Sequence, residues 1–351
     1  MTTTMTPAAR LTHLYTYSYL ILFALLGTLA RLGVQALNKY PSAPIAFPVL
    51  WANVGGSFIM GFLIEDRRIF MTTDDTLGDI AEPTFTPAAR AAHIAHKKTV
   101  PLYVGLATGF CGSFTSFSSF IRDMFLATSN DMPPLPGAVA TPRNGGYSFL
   151  ALLAVLISTV ALSLGALAVG GHAAIALHPY LPSLPRSFTR RYIDKLGVLL
   201  GWGGWLAAVV LAAVPPHESW RGEALFALVF APLGCLLRHH LGLALNPRLS
   251  SFPLGTFTAN VGGTAVLGMA WDLAHAPVGG LVACQVLMGI EDGFCGCLTT
   301  VSTWVGELAG FGDIRRAYTY GSASVLAGYV VLLAVMGGLR WDQGFAAPKC
   351  S

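Results

Sequence analysis

Apolar residues fall in nine long stretches separated by short polar segments, near 17–37, 47–64, 100–127, 147–170, 195–214, 223–245, 254–272, 281–309 and 317–339. A helix needs about 20 residues to cross a hydrocarbon layer ~30 Å thick, so each stretch reads as a candidate span. The pattern predicts an all-α integral membrane protein of nine spans.

Polar positions inside these stretches are not scattered. The third stretch holds Gly109-Phe110-Cys111-Gly112-Ser113-Phe114-Thr115-Ser116-Phe117-Ser118-Ser119-Phe120, and the eighth holds Gly293-Phe294-Cys295-Gly296-Cys297-Leu298-Thr299-Thr300-Val301-Ser302-Thr303-Trp304. Two further elements also recur: Arg31 after Gly27 matches Arg238 after Gly234, and Asn53-Val54-Gly55-Gly56-Ser57 matches Asn260-Val261-Gly262-Gly263-Thr264. The earlier elements are offset by 207 residues and the Gly-Phe-Cys-Gly copies by 184, so the first copy carries 23 extra residues. These fall in the polar loop from Glu65 to Lys98, which reads as a surface insertion.

The resulting plan is a tail (1–16), a four-span repeat (17–172), a linker (173–222) carrying one span at 195–214, a second four-span repeat (223–340) and a tail (341–351). An odd number of crossings separates equivalent spans, so the repeats must be inverted, with the lone linker span forcing the inversion. Inverted repeats place permeation and binding sites near their shared axis at the membrane midplane.

Composition supports this picture: 54% hydrophobic and 11% charged residues, with mean hydropathy +0.61, lie outside the soluble range. The N-terminal segment lacks the pattern of a cleaved signal peptide, so the first stretch is expected to be retained as a span. With the N-terminus inside, 13 Lys and Arg fall in inner segments and 5 in outer ones, Lys39, Arg143, Arg221, Arg340 and Lys349. This predicts a cytoplasmic N-terminus and an external C-terminus, and it makes the net charge of +4 a matter of topology rather than of nucleic acid. Five of the six cysteines lie in or beside apolar runs. They read as small buried hydrophobes, without a disulfide framework or zinc spacing.

The repeated segments carry the candidate chemistry. Glycines weaken a membrane helix, so a break is expected near Gly112 and Gly296, and freed carbonyls there can coordinate a hard cation. Close packing of small residues accounts for the glycines equally well. On a continuing helix Phe117 and Phe120 share one face, with Thr115 and Ser119 largely opposite. Ring edges carry positive partial charge and hydroxyls donate, so both suit an anion, and Thr299, Ser302 and Thr303 repeat the polar track. Asn53 and Asn260 need partners for their buried amides. Arg31 and Arg238 read as a positive vestibule or as snorkelling side chains. Asp123 and Glu307, just past the motifs, read as capping or pairing groups.

Together the three motifs resemble the signature of the CrcB/Fluc fluoride channels, and their fused duplication resembles the eukaryotic fluoride export (FEX) proteins. The resemblance implies a passive fluoride channel, working as a single chain in a lipid bilayer, expected in the plasma membrane. It implies a central sodium ion held by the carbonyls of Gly112, Thr115, Gly296 and Thr299. The implied ion pathway is Asn53, Thr115, Ser116, Phe117, Ser118, Ser119 and Phe120 with Asn260, Thr299, Thr300, Ser302, Thr303 and Trp304. The family's phenylalanine pair becomes Val301 and Trp304 in the second repeat. Pairing one ring from each repeat then gives Phe117 with Trp304 and Phe120 with Val301, hence one working and one degenerate pore. The alternatives are a proton-coupled small-ion transporter, whose candidate carboxylates Glu65, Asp66, Asp272, Glu291 and Asp292 fall at span ends, and a packing subunit without transport. No nucleophile, base and orienter cluster as an enzyme requires.

Overall fold

The computed structural model describes residues 6–38, 40, 43–70, 87–132, 144–214, 221–276, 280–348 and 350, and all regular structure among them is helical. Seven segments are long and apolar enough to cross a membrane: Pro7–Leu37, Pro101–Ser129, Gly145–Tyr180, Thr189–Ala213, Phe226–Arg248, Leu281–Gly310 and Ile314–Asp342. The two other expected spans are also helices. Val49–Glu65 is apolar but only 17 residues long, since Pro48 precedes it and Asp66-Arg67-Arg68 follow. Leu254–His275 is long enough, but its Asn, Thr and Gly content makes it less apolar than the seven.

In chain order the helices are α1 (Pro7–Leu37), α2 (Val49–Glu65), α3 (Pro87–Lys97), α4 (101–114), α5 (Phe117–Ser129), α6 (Gly145–Leu177), α7 (Thr189–Ala213), α8 (Phe226–Leu245), α9 (Leu254–His275), α10 (281–298), α11 (Ser302–Gly310) and α12 (Ile314–Asp342). Helices α4 and α10 each contain a π-helical stretch, Gly105–Cys111 and Ile290–Cys295.

Missing side chains set the closest approaches. A Cβ on Gly61 of α2 would overlap the Leu167 carbonyl of α6, and one on Gly170 of α6 would overlap the Phe58 carbonyl of α2. This pair therefore packs backbone against backbone, as small residues allow in membranes. A Cβ on Gly27 would lie 2.7 Å from the Phe110 carbonyl, and Gly234 makes the matching approach to Phe294. Across the two repeats, α11 packs against α2 and α6, while α5 packs against α9 and α12.

Two expectations change. The polar loop from Glu65 to Lys98 is more than a surface insertion, although 71–86 lie outside the described residues. Its helix α3 drives Lys97 into the protein, where the ammonium is buried and donates to the carbonyls of Leu63, Ile64 and Asp66 at 2.8–2.9 Å. All three ammonium protons are thereby used on the carbonyl end of α2. Burial pushes the Lys97 amine down to about 8. Second, Cys284 and Cys350 form a disulfide. The chain beyond α12 folds back over Trp271 and His275, with Phe345 between them and Phe125, and brings Cys350 to the start of α10. The remaining four cysteines are free and buried, as expected. Lys39, Arg143 and Lys349, counted among the outer charges, lie outside the described residues.

Candidate functional site

Both α4 and α10 stop short of their continuations, and the stops meet. The break lies at Thr115–Ser116 and at Thr299–Val301, three residues beyond the expected Gly112 and Gly296, which are themselves helical. Thr115 (φ −89°, ψ 152°) and Thr299 (φ −95°, ψ 154°) are extended. Thr115 therefore belongs to no helical face shared with Ser119.

The cause of the break is the buried Asn on the neighbouring helix. Asn53 Oδ1 accepts the Ser116 amide at 2.8 Å and its Nδ2 donates to the Ser116 carbonyl at 3.4 Å. Asn260 treats Thr300 the same way, at 2.8 and 3.1 Å. Each side-chain amide thus takes a backbone N–H that a continuous helix would have paired internally and donates to the carbonyl of the same residue. One turn on, Gly56 and Gly263 make room for the methyl groups of Thr115 and Thr299. That seat turns each threonine hydroxyl towards the opposite repeat.

There the hydroxyls cap each other's helices. Thr115 Oγ1 accepts the amides of Val301 and Ser302 at 3.2 and 3.1 Å, at the start of α11. Thr299 Oγ1 accepts the Ser118 amide at 3.0 Å, at the start of α5. Ser116 adds a local cap to Ser119, as Thr300 does to Thr303. Two helix N-termini, the positive ends of their dipoles, therefore meet inside the protein in a collar of buried hydroxyls.

Arg31 and Arg238 do not form an open vestibule. Both are buried, Arg31 fully. Arg31, one turn after Gly27, donates to the carbonyls of Ser113 (2.6 Å) and Gly296 (2.9 Å) and to that of Asp292. Arg238 donates to Cys297 and Thr108, each at 2.8 Å. The acceptors are carbonyls of the π-helical stretches (Thr108, Asp292) and of the last turns before the two breaks (Ser113, Gly296, Cys297), which is how a charge persists at membrane depth without a carboxylate.

These oxygens also bear on a sodium ion. Main-chain carbonyls are the hard, neutral ligands such a cation takes. The carbonyls of Thr115 and Thr299 stand in extended backbone outside the helical ladder, and Gly296 O keeps a second lone pair beside Arg31. By this chemistry the carbonyls of Thr115 and Thr299 suit such an ion, while Gly296 O already accepts from Arg31.

Aromatic groups flank the collar unequally. Phe117 meets Trp304 edge-to-face at 5.4 Å between centroids, and meets Phe120 at 5.7 Å. All three, with Val301, are buried. Leu167 faces Gly61 as Leu332 faces Gly268, so positions on α6 and α12 correspond at an offset of 165. Thr159 then corresponds to Ser324, and Ser163 to Gly328, which lies 3.3 Å from Phe117 Cε1 on building a Cβ. On the Phe117–Trp304 side, Thr264 and Ser324 donate back to their own helices at 2.7 Å. On the other side Ser57, Thr159 and Ser163 are buried with no protein partner. Sequence reasoning did not single out these three hydroxyls. Their signal is the four-residue spacing from Asn53 to Ser57 and from Thr159 to Ser163.

The carboxylates just past the motifs, Glu307 and Asp123, have partners. Glu307 accepts from Thr256 (2.6 Å) and Tyr320 (2.7 Å). Asp123 pairs with Arg122 at 3.1 Å, and that arginine also faces Glu291 and Asp292. Glu291 is buried within the π-helical stretch of α10 rather than sitting at a span end.

The family profile described as CrcB-like protein, Camphor Resistance (CrcB), matches residues 18–171 and 225–338. Fluoride export protein 1 of Neurospora crassa is 57% identical over 97% of this chain and 69% of its own length. Fluoride export protein 1 of Candida albicans is 34% identical over 92% of this chain and 79% of its own. The fluoride-specific ion channel FluC of Pseudomonas aeruginosa is 36% identical over 129 residues, 36% of this chain and 98% of its own. No solved structure matches the chain.

Proposed function

The chain belongs to the CrcB-like family, and on that premise we propose that it is a fluoride-selective channel in a membrane it crosses many times, releasing fluoride from the cytoplasm without a coupled energy source. The observation that carries the reading is the pair of helix N-termini, each capped by the opposite repeat, beside facing rings of Phe117 and Trp304. Fixed N–H and O–H donors and ring edges can replace part of the water that a small anion sheds. Hydrogen fluoride crosses membranes neutral and dissociates inside. A negative-inside potential then drives the anion out at about 2.3 kcal/mol per 100 mV.

Nine spans in two inverted repeats are the finer architecture of this proposal. Its support is reciprocity: Asn53 on Ser116 is matched by Asn260 on Thr300, and the Thr115 cap by the Thr299 cap, as a two-fold relation between copies requires. An external C-terminus and a plasma-membrane location are supported by the charge distribution and by the Cys284–Cys350 disulfide, a bond that persists in oxidising compartments. A sodium ion would be held by the carbonyls of Gly112, Thr115, Gly296 and Thr299, supplying a fixed positive charge where the repeats meet. A single chain suffices, since it contains both copies.

We place conduction on the Phe117–Trp304 side, where two aromatic rings from different repeats meet. The three unpartnered hydroxyls on α2 and α6 favour a second reading, conduction on the Phe120–Val301 side. Fluoride-electrode efflux from proteoliposomes, with chloride for comparison, tests the function, and equal passage of chloride rejects it. Phe117→Ile slowing efflux far more than Phe120→Ile supports the first side; the opposite order supports the second, and equal mild losses reject a single pore. The coupled-transporter reading is not favoured, because the relatives are named as export proteins and an ion channel.

A further inference from the structure

Trp304 stands where the first repeat carries Phe120, and it brings a group that phenylalanine lacks. Its side chain is 1% exposed, and the indole Nε1–H has no hydrogen-bond partner in the protein. A donor left unpaired in a buried site is unfavourable unless something else accepts from it. The ring edge next to Nε1, at Cζ2, packs at contact distance from Gly321 of α12, beside Leu308. Phe117 of the other repeat closes the opposite side at 5.4 Å. On the same side of the collar the wall hydroxyls of Thr264 and Ser324 spend their protons on their own helices. Trp304 Nε1 is therefore a fixed proton donor still unused there.

We propose that the Trp304 indole N–H is a direct hydrogen-bond donor to the permeating anion, and that it favours fluoride over chloride on the Phe117–Trp304 side. This rests on the fluoride-channel reading. Fluoride concentrates its charge in a smaller radius than chloride and gains more from one rigid donor that needs no reorganisation. The aromatic pair is then unequal in kind: Phe117 offers a ring edge, while Trp304 offers a ring edge and a true donor.

Two variants separate the donor from the ring. Trp304→Phe removes the N–H, and the first repeat already accommodates phenylalanine at this position. Replacing Trp304 by 3-benzothienylalanine keeps the bicyclic shape and exchanges N–H for sulfur. Fluoride efflux from proteoliposomes is expected to fall about 10- to 100-fold in both, the factor that follows from losing one hydrogen bond to a charge, with a smaller change for chloride. In the wild type, titration with sodium fluoride is expected to move the Trp304 indole 15N–1H resonance, and sodium chloride to leave it in place. Wild-type efflux from the benzothienyl protein overturns the proposal whatever Trp304→Phe does, because ring size alone would then suffice. An indole resonance unmoved by fluoride overturns it as well. Absence of fluoride efflux from the wild type instead removes the channel reading beneath it.

Discussion

Replacing Thr115 by valine is the sharpest probe of how the two repeats are joined. Valine keeps the methyl that sits against Gly56 and removes the hydroxyl. The amides of Val301 and Ser302, 3.2 and 3.1 Å from Thr115 Oγ1, lose their acceptor in a fully buried setting. The Cys111 carbonyl loses one donor but keeps the Thr115 amide (3.1 Å) and Ser302 Oγ (3.0 Å). Each orphaned buried N–H costs about 1–3 kcal/mol, so the start of α11 should weaken by about 2–4 kcal/mol after relaxation. At 1.4 kcal/mol per tenfold, protection from hydrogen exchange should drop at least about 30-fold. The drop belongs at Val301 and Ser302, 186 and 187 residues from the mutation, and not around residue 115 itself. Hydrogen-exchange mass spectrometry on fragments covering 112–118 and 299–305 reads this directly, and Thr115→Ser should restore protection. Unchanged exchange at 301–302, or a loss confined to 111–116, refutes the reciprocal capping.

Other expectations follow from single contacts. Gly61→Ala places a methyl on the Leu167 carbonyl and should abolish a monodisperse folded protein or lower stability by about 3 kcal/mol or more, while Gly165→Ala, with open space around it, should melt like wild type. Cys284→Ser opens a loop closed across 66 residues; a loss of about 2–4 kcal/mol and faster proteolysis of the C-terminal segment are expected, and unchanged thermal denaturation would contradict it. Lys97 ionises at about 8 in the folded protein and near 10.5 when unfolded, so the cost of burying the ammonium is fully present below about 8 and is relieved as pH rises. Stability should therefore gain between about pH 8 and 10.5, and Lys97→Met should erase that gain in thermal scans. Exchanging sodium for N-methylglucamine should lower the melting temperature if the carbonyls at the seam hold the ion; an unchanged value removes that ion.

The repeats were legible because each motif is written twice in order, and duplication separates signal from the ordinary Gly, Ser and Thr of membrane helices. The purpose of individual residues was less accessible. Glycine is the visible helix-weakener, so the sequence points to Gly112, whereas the break at Thr115–Ser116 is imposed by an Asn53 side chain 63 residues away. Arg31 offers a charge without a sequence neighbour to pair with it, and only the fold brings the carbonyls of Ser113, Gly296 and Asp292 around it. Ser57, Thr159 and Ser163 resemble any small polar residue in an apolar helix until packing removes their partners. Cys284 and Cys350 sit at the two ends of a 66-residue separation, and nothing local announces the fold-back that joins them.

Because Thr115 completes α11 and Thr299 completes α5, neither half is a finished structure until the other has entered the membrane. During synthesis the first half must wait, with the Ser118 amide at the start of α5 lacking its Thr299 acceptor, while α7 and the second half follow. The tether turns what would be an encounter between two molecules into closure within one, at an effective concentration that does not depend on expression level. It also releases an evolutionary constraint. In a symmetric pair of identical chains every substitution appears on both sides of the axis, whereas here position 117 can stay phenylalanine while position 301 drifts to valine. Covalent joining thus gives each face of the seam its own hereditary record.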